Sequence, residues 1–378
     1  MRAAIFLAAL TLPAQAQWTL QPSNTTADLR GIDNVGHGIA WASGSNGTVL
    51  HTTDTGATWL LCKTPPNAEH LDFRGIQAFD ANTAIVMSSG KGDLSRLYKT
   101  IDSCQTWKLV FTNPDKDGFW DALRFEANSQ NSNSHIWGIL VGDPVAGRFV
   151  AYNSKDKGDS WETMTAKWIK AMPRSRSGES LFAASNSAAD AVGDANNLAF
   201  VTGGRGGSSL YHLTGGGLIL DAFWSWPSFE QTTLAFPHLS DSQGAFSMAH
   251  RQRDLVTYDF MIVGGDYAHS ELDGYATYVP AATYGWFGRH QVAIKPLTPP
   301  HGYRSAVAYV SSTGTWITVG PNGTDISTDD GRNWRALKPS PTDTPDADRN
   351  WNALSLPFVV GPHGRIGILR PTALTTNH

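Results

Sequence analysis

Apolar residues recur along the chain in short runs set off by polar, glycine-rich turns, with no stretch of sustained helical periodicity. This is the pattern of many short strands joined by tight turns. Seven segments open such runs: DLRGI (28–32), DFRGI (72–76), FWDAL (119–123), SGESL (177–181), AFSMA (245–249), GYRSA (302–306) and NWNAL (350–354). Each leads to a second apolar run and then a turn such as GSNG (44–47), SSGKGD (88–93), VGDPVAG (141–147), TGGRGG (202–207), VGGDY (263–267), VGPNG (319–323) or VGPHG (360–364). Seven openings predict seven units of about 52 residues, the size of a four-stranded blade in a closed repeat. The expected fold is therefore all-β, a seven-bladed β-propeller forming a single domain over residues 17–378.

Four segments add a sharper signal: TTDTGATW (52–59), TIDSCQTW (100–107), SKDKGDSW (154–161) and STDDGRNW (327–334). The shared form is [ST]-x-D-x-G-x-x-W, with Cys104 in place of the glycine in the second copy. Asp54, Asp102, Asp156 and Asp329 suit a tight turn in which a carboxylate accepts from backbone amides, and glycine supplies positive φ. Trp59, Trp107, Trp161 and Trp334 then lead the next strand and supply packing area. The last unit, 350–370, lacks both the box and a fourth strand. The segment Trp18-Thr19-Leu20 is similar to Trp59-Leu60-Leu61 and Trp107-Lys108-Leu109. Residues 17–22 are thus expected to complete the seventh blade and remove two open sheet edges.

Composition supports this outline: 37 glycines, 20 prolines, 14 tryptophans and only 16% charged residues suit a turn-rich β protein. Residues 1–16 read as a cleaved secretory signal peptide, with Arg2 before the apolar run 3–12 and a small-x-small site at Ala14-Gln15-Ala16. Cleavage would place the mature protein outside the cytoplasm, secreted or periplasmic, with no transmembrane segment. Losing Arg2 takes the net charge from −4 to −5, which argues against nucleic acid or acidic lipid as a partner. Cys62 and Cys104 fall on the outer parts of neighbouring blades. They could form one disulfide, which needs Cα atoms within about 7 Å, or stay as two buried thiols.

In a propeller the first strand of each blade lines the central channel. Strand entries and the turns between second and third strands share one face, and the boxes occupy the other. Aligning the openings gives one ring position per blade: Arg30, Arg74, Asp121, Glu179, Ser247, Arg304 and Asn352. The turns add Lys91, Asp143, Arg205, Asp266 and His363, and Phe73, Trp120, Tyr303 and Trp351 flank the ring. Arginines so placed could clamp an anion, and Asp121 and Glu179 could act as acid and base. The competing reading is a ring of charges that only neutralise one another. Asp343, Asp346 and Asp348 could bind calcium weakly or form a solvated loop. No HExxH, GxSxG, Walker-type loop or Cys/His metal spacing is present, so no metal and no cofactor is expected.

The box pattern resembles the Asp-box (BNR) repeat of the sialidase-like propellers. WASGSNGTVLHTTDTGATW (41–59), DFRGIQAFDANTAIVMSSG (72–90), VGDPVAGRF (141–149), GESLFAAS (178–185), VGGDYAH (263–269) and GYRSAVAY (302–309) are similar to bacterial relatives of the photosystem II stability/assembly factor family. That resemblance implies a non-catalytic propeller, and a monomer is expected. It would recognise a partner protein, or an anionic or carbohydrate ligand, through an arginine patch on the strand-entry face. The expected binding set is Arg30, Arg74, Asp121, Asp143, Glu179, Arg205, Asp266 and Arg304. The alternative is a sialidase-like glycoside hydrolase, which the resemblance would equip with an arginine triad, with Asp121, Glu179 and Tyr303 as catalytic candidates. DLRGI and DFRGI carry the arginine of that family's motif without the following Ile-Pro.

Overall fold

A computed structural model describes residues 18–370, apart from 126–136, 165–171, 193–197, 215–217, 220–222, 225–226, 255–256, 282, 286–287, 291 and 340–342. The expected leader at 1–16 lies outside the described residues. Among the described residues seven antiparallel blade sheets follow one another around a ring, each opening with its channel-lining strand, and two two-stranded hairpins, Leu218–Ile219 with Phe223–Trp224 and Thr283–Gly285 with Gly288–His290, stand beside them. Blade one is Leu29–Gly36, Ile39–Gly44, Val49–Thr52 and Leu60–Leu61, and blade two is Phe73–Ala78, Ala84–Ser88, Arg96–Thr100 and Lys108–Thr112. Blade three is Trp120–Phe125, Gly138–Val145, Arg148–Ser154 and Glu162–Thr163, and blade four is Ala189–Ala191, Leu198–Val201, Ser208–Thr214 and Ser228–Leu234. Blade five has Gln243–Gln252, Tyr258–Asp266 and Tyr275–Val279, with an outer edge held by a single bridge from Tyr278 to Ile294. Blade six is Ala306–Val310, Thr315–Gly320, Gly323–Ser327 and Arg335–Ala336.

The ring closes as the terminal sequences predict. Trp18–Gln21 pairs antiparallel with Ile366–Leu369, outside Phe358–Val360 and Ala353–Ser355, to make blade seven. Trp18 is almost wholly buried, and its indole N–H donates to Thr324 Oγ1 of blade six at 2.8 Å. This strand thus ties two blades together and covers the edge that Ile366–Leu369 would otherwise leave open.

All four boxes have one geometry. In blade one Asp54 accepts from the Thr58 N–H at 2.9 Å and from the Thr58 hydroxyl at 2.6 Å, while Thr52 Oγ1 accepts from the Gly56 N–H at 3.1 Å. Asp102, Asp156 and Asp329 bond the equivalent positions Thr106, Ser160 and Asn333. Gly56, Gly158 and Gly331 have φ of 81°, 83° and 75°. Their missing side chains also leave room for the preceding blade: a Cβ would meet Phe358, Ile85 and Met261, respectively, at under 3 Å. Cys104 occupies the same position at φ 59°, where its side chain crosses instead to Cys62 of blade one. The two are disulfide-bonded with Cα atoms 5.4 Å apart. The bridge takes the place of the apolar contact made by the other boxes.

Blade four departs from the repeat. Its opening was expected at SGESL, but the channel-lining strand begins only at Ala189. The residues between cross the channel. Ser185 Oγ donates to the Ser305 carbonyl of blade six at 2.7 Å, and Ser187 Oγ to Ser247 Oγ of blade five at 2.7 Å. The Asn186 amide bonds both the N–H and the carbonyl of Leu123 in blade three, at 2.7 and 3.0 Å. Gly75 of blade two permits this approach, because a Cβ there would lie 2.7 Å from Asn186 Oδ1.

Candidate functional site

Strand pairing sets which residues turn toward the channel mouth. It skips one residue between Leu29 and Gly31, Phe73 and Gly75, Trp120 and Ala122, and Ala245 and Ser247. A bulged residue is re-aimed out of the ladder, and here the bulged residues are Arg30, Arg74, Asp121 and Phe246. In blade five the ring position therefore belongs to Phe246, and Ser247 lies deeper, against the crossing segment. In blade six the Arg304 N–H donates to Gly264 of the preceding blade, as the Leu29 N–H does to Gly361. Arg304 is thus equivalent to Leu29, and Ser305 takes the ring position.

The mouth opens onto a cavity of about 580 Å³ lined by Arg30, Arg74, Asp121, Asp143, Tyr303 and Asn352 from the expected set. Its floor is the blade-four segment from Ser180 to Ala184, and Phe119, Phe182, Phe246, Tyr267, Ser305 and Pro321 complete the lining. Arg74 Nε donates to Asp72 Oδ2 at 2.7 Å, and Arg30 Nε lies 3.6 Å from Asp72 Oδ1. Both guanidinium groups remain partly exposed to the cavity. Asp72 was not singled out from the sequence. It lies just before the strand Phe73–Ala78, two residues ahead of the bulged Arg74, so strand alternation alone does not place it.

Asp121 and Asp143 form a carboxyl pair on blade three. Burial, and then the charge of Asp143, push Asp121 well above the usual carboxylate range, against the pull of Arg74. Burial raises Asp143 to about 6, opposed by the Leu181 N–H that it accepts at 2.9 Å. The pair therefore holds a proton into the weakly acidic range. Opposite charge and apolar surface share the cavity. The Phe182 and Phe246 rings stack at 3.9 Å, and Tyr303 meets Phe246 edge-on at 4.8 Å. Burial also raises the Tyr303 hydroxyl well above its ordinary value.

Four expected binding residues do not reach this cavity. Arg304 is fully buried, with Nε on Asp325 at 2.8 Å and Nη1 on the Gly323 carbonyl at 3.1 Å. The Glu179 side chain is enclosed by Arg176, by Thr202 at 2.7 Å and by Tyr211 at 3.2 Å. Asp266 caps the short turn after it, accepting from Ala268, Ser242 and Gln243. Arg205 pairs with Asp241 on the surface at 3.3 Å. These are scaffold contacts, and the arginine triad of the hydrolase reading is not assembled. The three acidic residues of the Pro-rich linker diverge as well: Asp348 accepts from Thr324, Asp346 pairs with Arg365 and Asp343 with Arg370. Among the described residues no group of three or more His, Cys, Asp or Glu side chains is placed to hold a metal ion. No described helix is long and apolar enough to cross a membrane.

The architecture has solved counterparts. YCF48 bound to D1 peptide matches with a TM-score of 0.56 at 14% identity, over 95% of this chain and 100% of that one. YCF48 from Cyanidioschyzon merolae matches at 0.57 and 16%, over 94% and 99%. The WD40 propeller domain of Doa1 matches at 0.54 and 12%, over 95% and 98%. This chain shares their fold. No family model and no curated protein matches the sequence. At these identities the likeness concerns the propeller, and function has to be argued from the site.

Proposed function

We propose that this protein is an exported, non-catalytic binding propeller that captures a carboxylate-bearing ligand or partner at its channel mouth. The observation that carries the reading is the pairing of Arg30 and Arg74 over one shared carboxylate, Asp72, at the edge of a cavity. Two guanidinium groups held by one acid retain net positive charge and donors for a further anion. A partner-binding role also agrees with the D1 peptide bound to one of the similar propellers. The leader-like segment 1–16 supports a secreted or periplasmic location.

The test is binding of an acidic peptide panel to the purified mature protein. Arg30→Ala and Arg74→Ala should each weaken capture about tenfold, the worth of one charge-assisted hydrogen bond. Capture unchanged in both variants would remove the reading. The hydrolase alternative predicts release of a fluorophore from glycosides, sialosides included, and its loss in Asp121→Asn. The burial of Arg304 and Glu179 counts against that outcome.

A further inference from the structure

Three chemistries occupy successive arcs of the mouth. Cationic groups come from blades one and two, as Arg30 and Arg74. Carboxyl groups come from blade three, as Asp121 and Asp143. Aromatic surface comes from blades five and six, as Phe246 and Tyr303. Three buried polar atoms in this arrangement lack hydrogen-bond partners, Arg30 Nε, Asp72 Oδ1 and Asp121 Oδ2; the first two face each other as an ion pair at 3.6 Å, and the third has no cation beside it in an ion pair. Asp121 is only 1% exposed. A ring built only to neutralise its own charges would have given Asp121 Oδ2 a donor, because a buried polar atom left unpaired costs about 1–3 kcal/mol. Asp121 Oδ2 is instead left over, on the arc next to the partly exposed Arg30 and Arg74.

Resting on the reading of the mouth as an anion-binding site, we propose that its ligand is a free α-amino acid with an apolar side chain. The carboxylate would sit on Arg30 and Arg74, and the ammonium group on Asp121 and Asp143. The side chain would lie against Phe246 and Tyr303. Each part of such a zwitterion meets the charge or surface that it needs. The ammonium supplies the donor that Asp121 Oδ2 lacks, and the carboxylate adds an acceptor for the partly exposed guanidinium groups of Arg30 and Arg74. A cavity of about 580 Å³ is within the range of roughly 300–1,000 Å³ typical of small-molecule sites. The segment crossing the channel beneath it gives the site a closed floor.

Isothermal titration of the mature protein with L-phenylalanine, L-leucine, N-acetyl-L-phenylalanine and L-phenylalanine amide tests this. The free amino acids should bind, and each blocked derivative should lose about tenfold or more. Asp121→Asn should abolish the preference for the free amine over the N-acetyl form. Asp143→Asn, which keeps an acceptor for the Leu181 N–H, serves if the first variant folds poorly. Arg74→Ala should abolish the preference for the free carboxylate over the amide. Equal binding of L-phenylalanine and its N-acetyl form, still lost in Arg74→Ala, would overturn the zwitterion proposal and leave the anion-binding function standing. No binding of any of the four would overturn the proposal too, and the acidic-peptide panel would then decide the function by itself.

Discussion

The two faces of the propeller use aspartate in opposite ways. On the box face Asp54 and Asp102 lie in the open and accept hydrogen bonds from the hydroxyl and amide of Thr58 and Thr106, which lower each to about 2. On the mouth face Asp121 and Asp143 are buried beside each other, and Asp143 is raised to about 6. The first arrangement stabilises the charge with donors from its own hairpin. The second brings charge into a low-dielectric site with fewer donors than the carboxyls can accept. Local turn chemistry builds the box, whereas residues from several blades build the mouth. A carboxylate whose hydrogen bonds are made within its own hairpin serves as scaffold, and a buried one left with an unmatched oxygen is suited to a ligand.

The contrast can be broken or sharpened by experiment. The largest effect is expected at the ring closure on which both faces depend. Trp18→Ala removes a buried indole and its bond to Thr324, and should cost about 3–5 kcal/mol in denaturant unfolding. A near-neutral result would mean that blade seven does not need its outer strand. Next, opening the Cys62–Cys104 bridge should cost on the order of 2–4 kcal/mol. Within that loss, Cys62→Ala with Cys104→Gly should be about 1 kcal/mol more stable than Cys62→Ala with Cys104→Ala, since only glycine adopts the φ of 59° freely. Equal stability of the two would show that the left-handed conformation does not survive loss of the bridge.

A third pair of variants sets the faces directly against each other. Asp329→Asn on the box face should lose about 1 kcal/mol of stability at neutral pH and leave ligand capture intact. Arg74→Ala on the mouth face should do the reverse. The smallest effect concerns pH. Asp143 is raised from 3.8 to about 6 in the folded protein, so its contribution to stability is fully present below about 3.8 and is lost as pH rises through about 6. Asp143→Asn should therefore become more stable than the parent by about 1 kcal/mol at pH 8, after allowance for its partial exposure, and the gain should vanish near pH 4. Asp329, which burial would raise but the bonds from Asn333 and Ser327 lower, has the opposite sign: its contribution is present above 3.8 and is lost in acid. Urea unfolding across pH 3–8 reads both. A gain for Asp143→Asn that persists at pH 4 would show that packing, rather than charge, is responsible.

The count of seven blades, the closure by Trp18–Gln21 and the roles of Asp54, Asp102, Asp156 and Asp329 are legible along the chain. Each of these rests on residues close together in the chain or on a period repeated along it. Apolar alternation fixes which strand faces are buried, and the [ST]-x-D-x-G turn satisfies its own polar groups. Tertiary structure alone decided that Cys62 reaches Cys104, that Asp72 sits between Arg30 and Arg74, and that Arg304 and Glu179 turn away from the mouth. It also decided that Phe182 and Phe246 form the aromatic wall, and that blade four sends Ser185, Asn186 and Ser187 across the channel. Motif alignment placed Arg304 opposite Arg74 because both follow an aromatic residue. Inter-blade hydrogen bonds shift that register by one residue, and in a pleated strand one residue reverses the direction of the side chain. Burial and partnership between blades arise from distances that close only when the ring closes, so no local pattern records them.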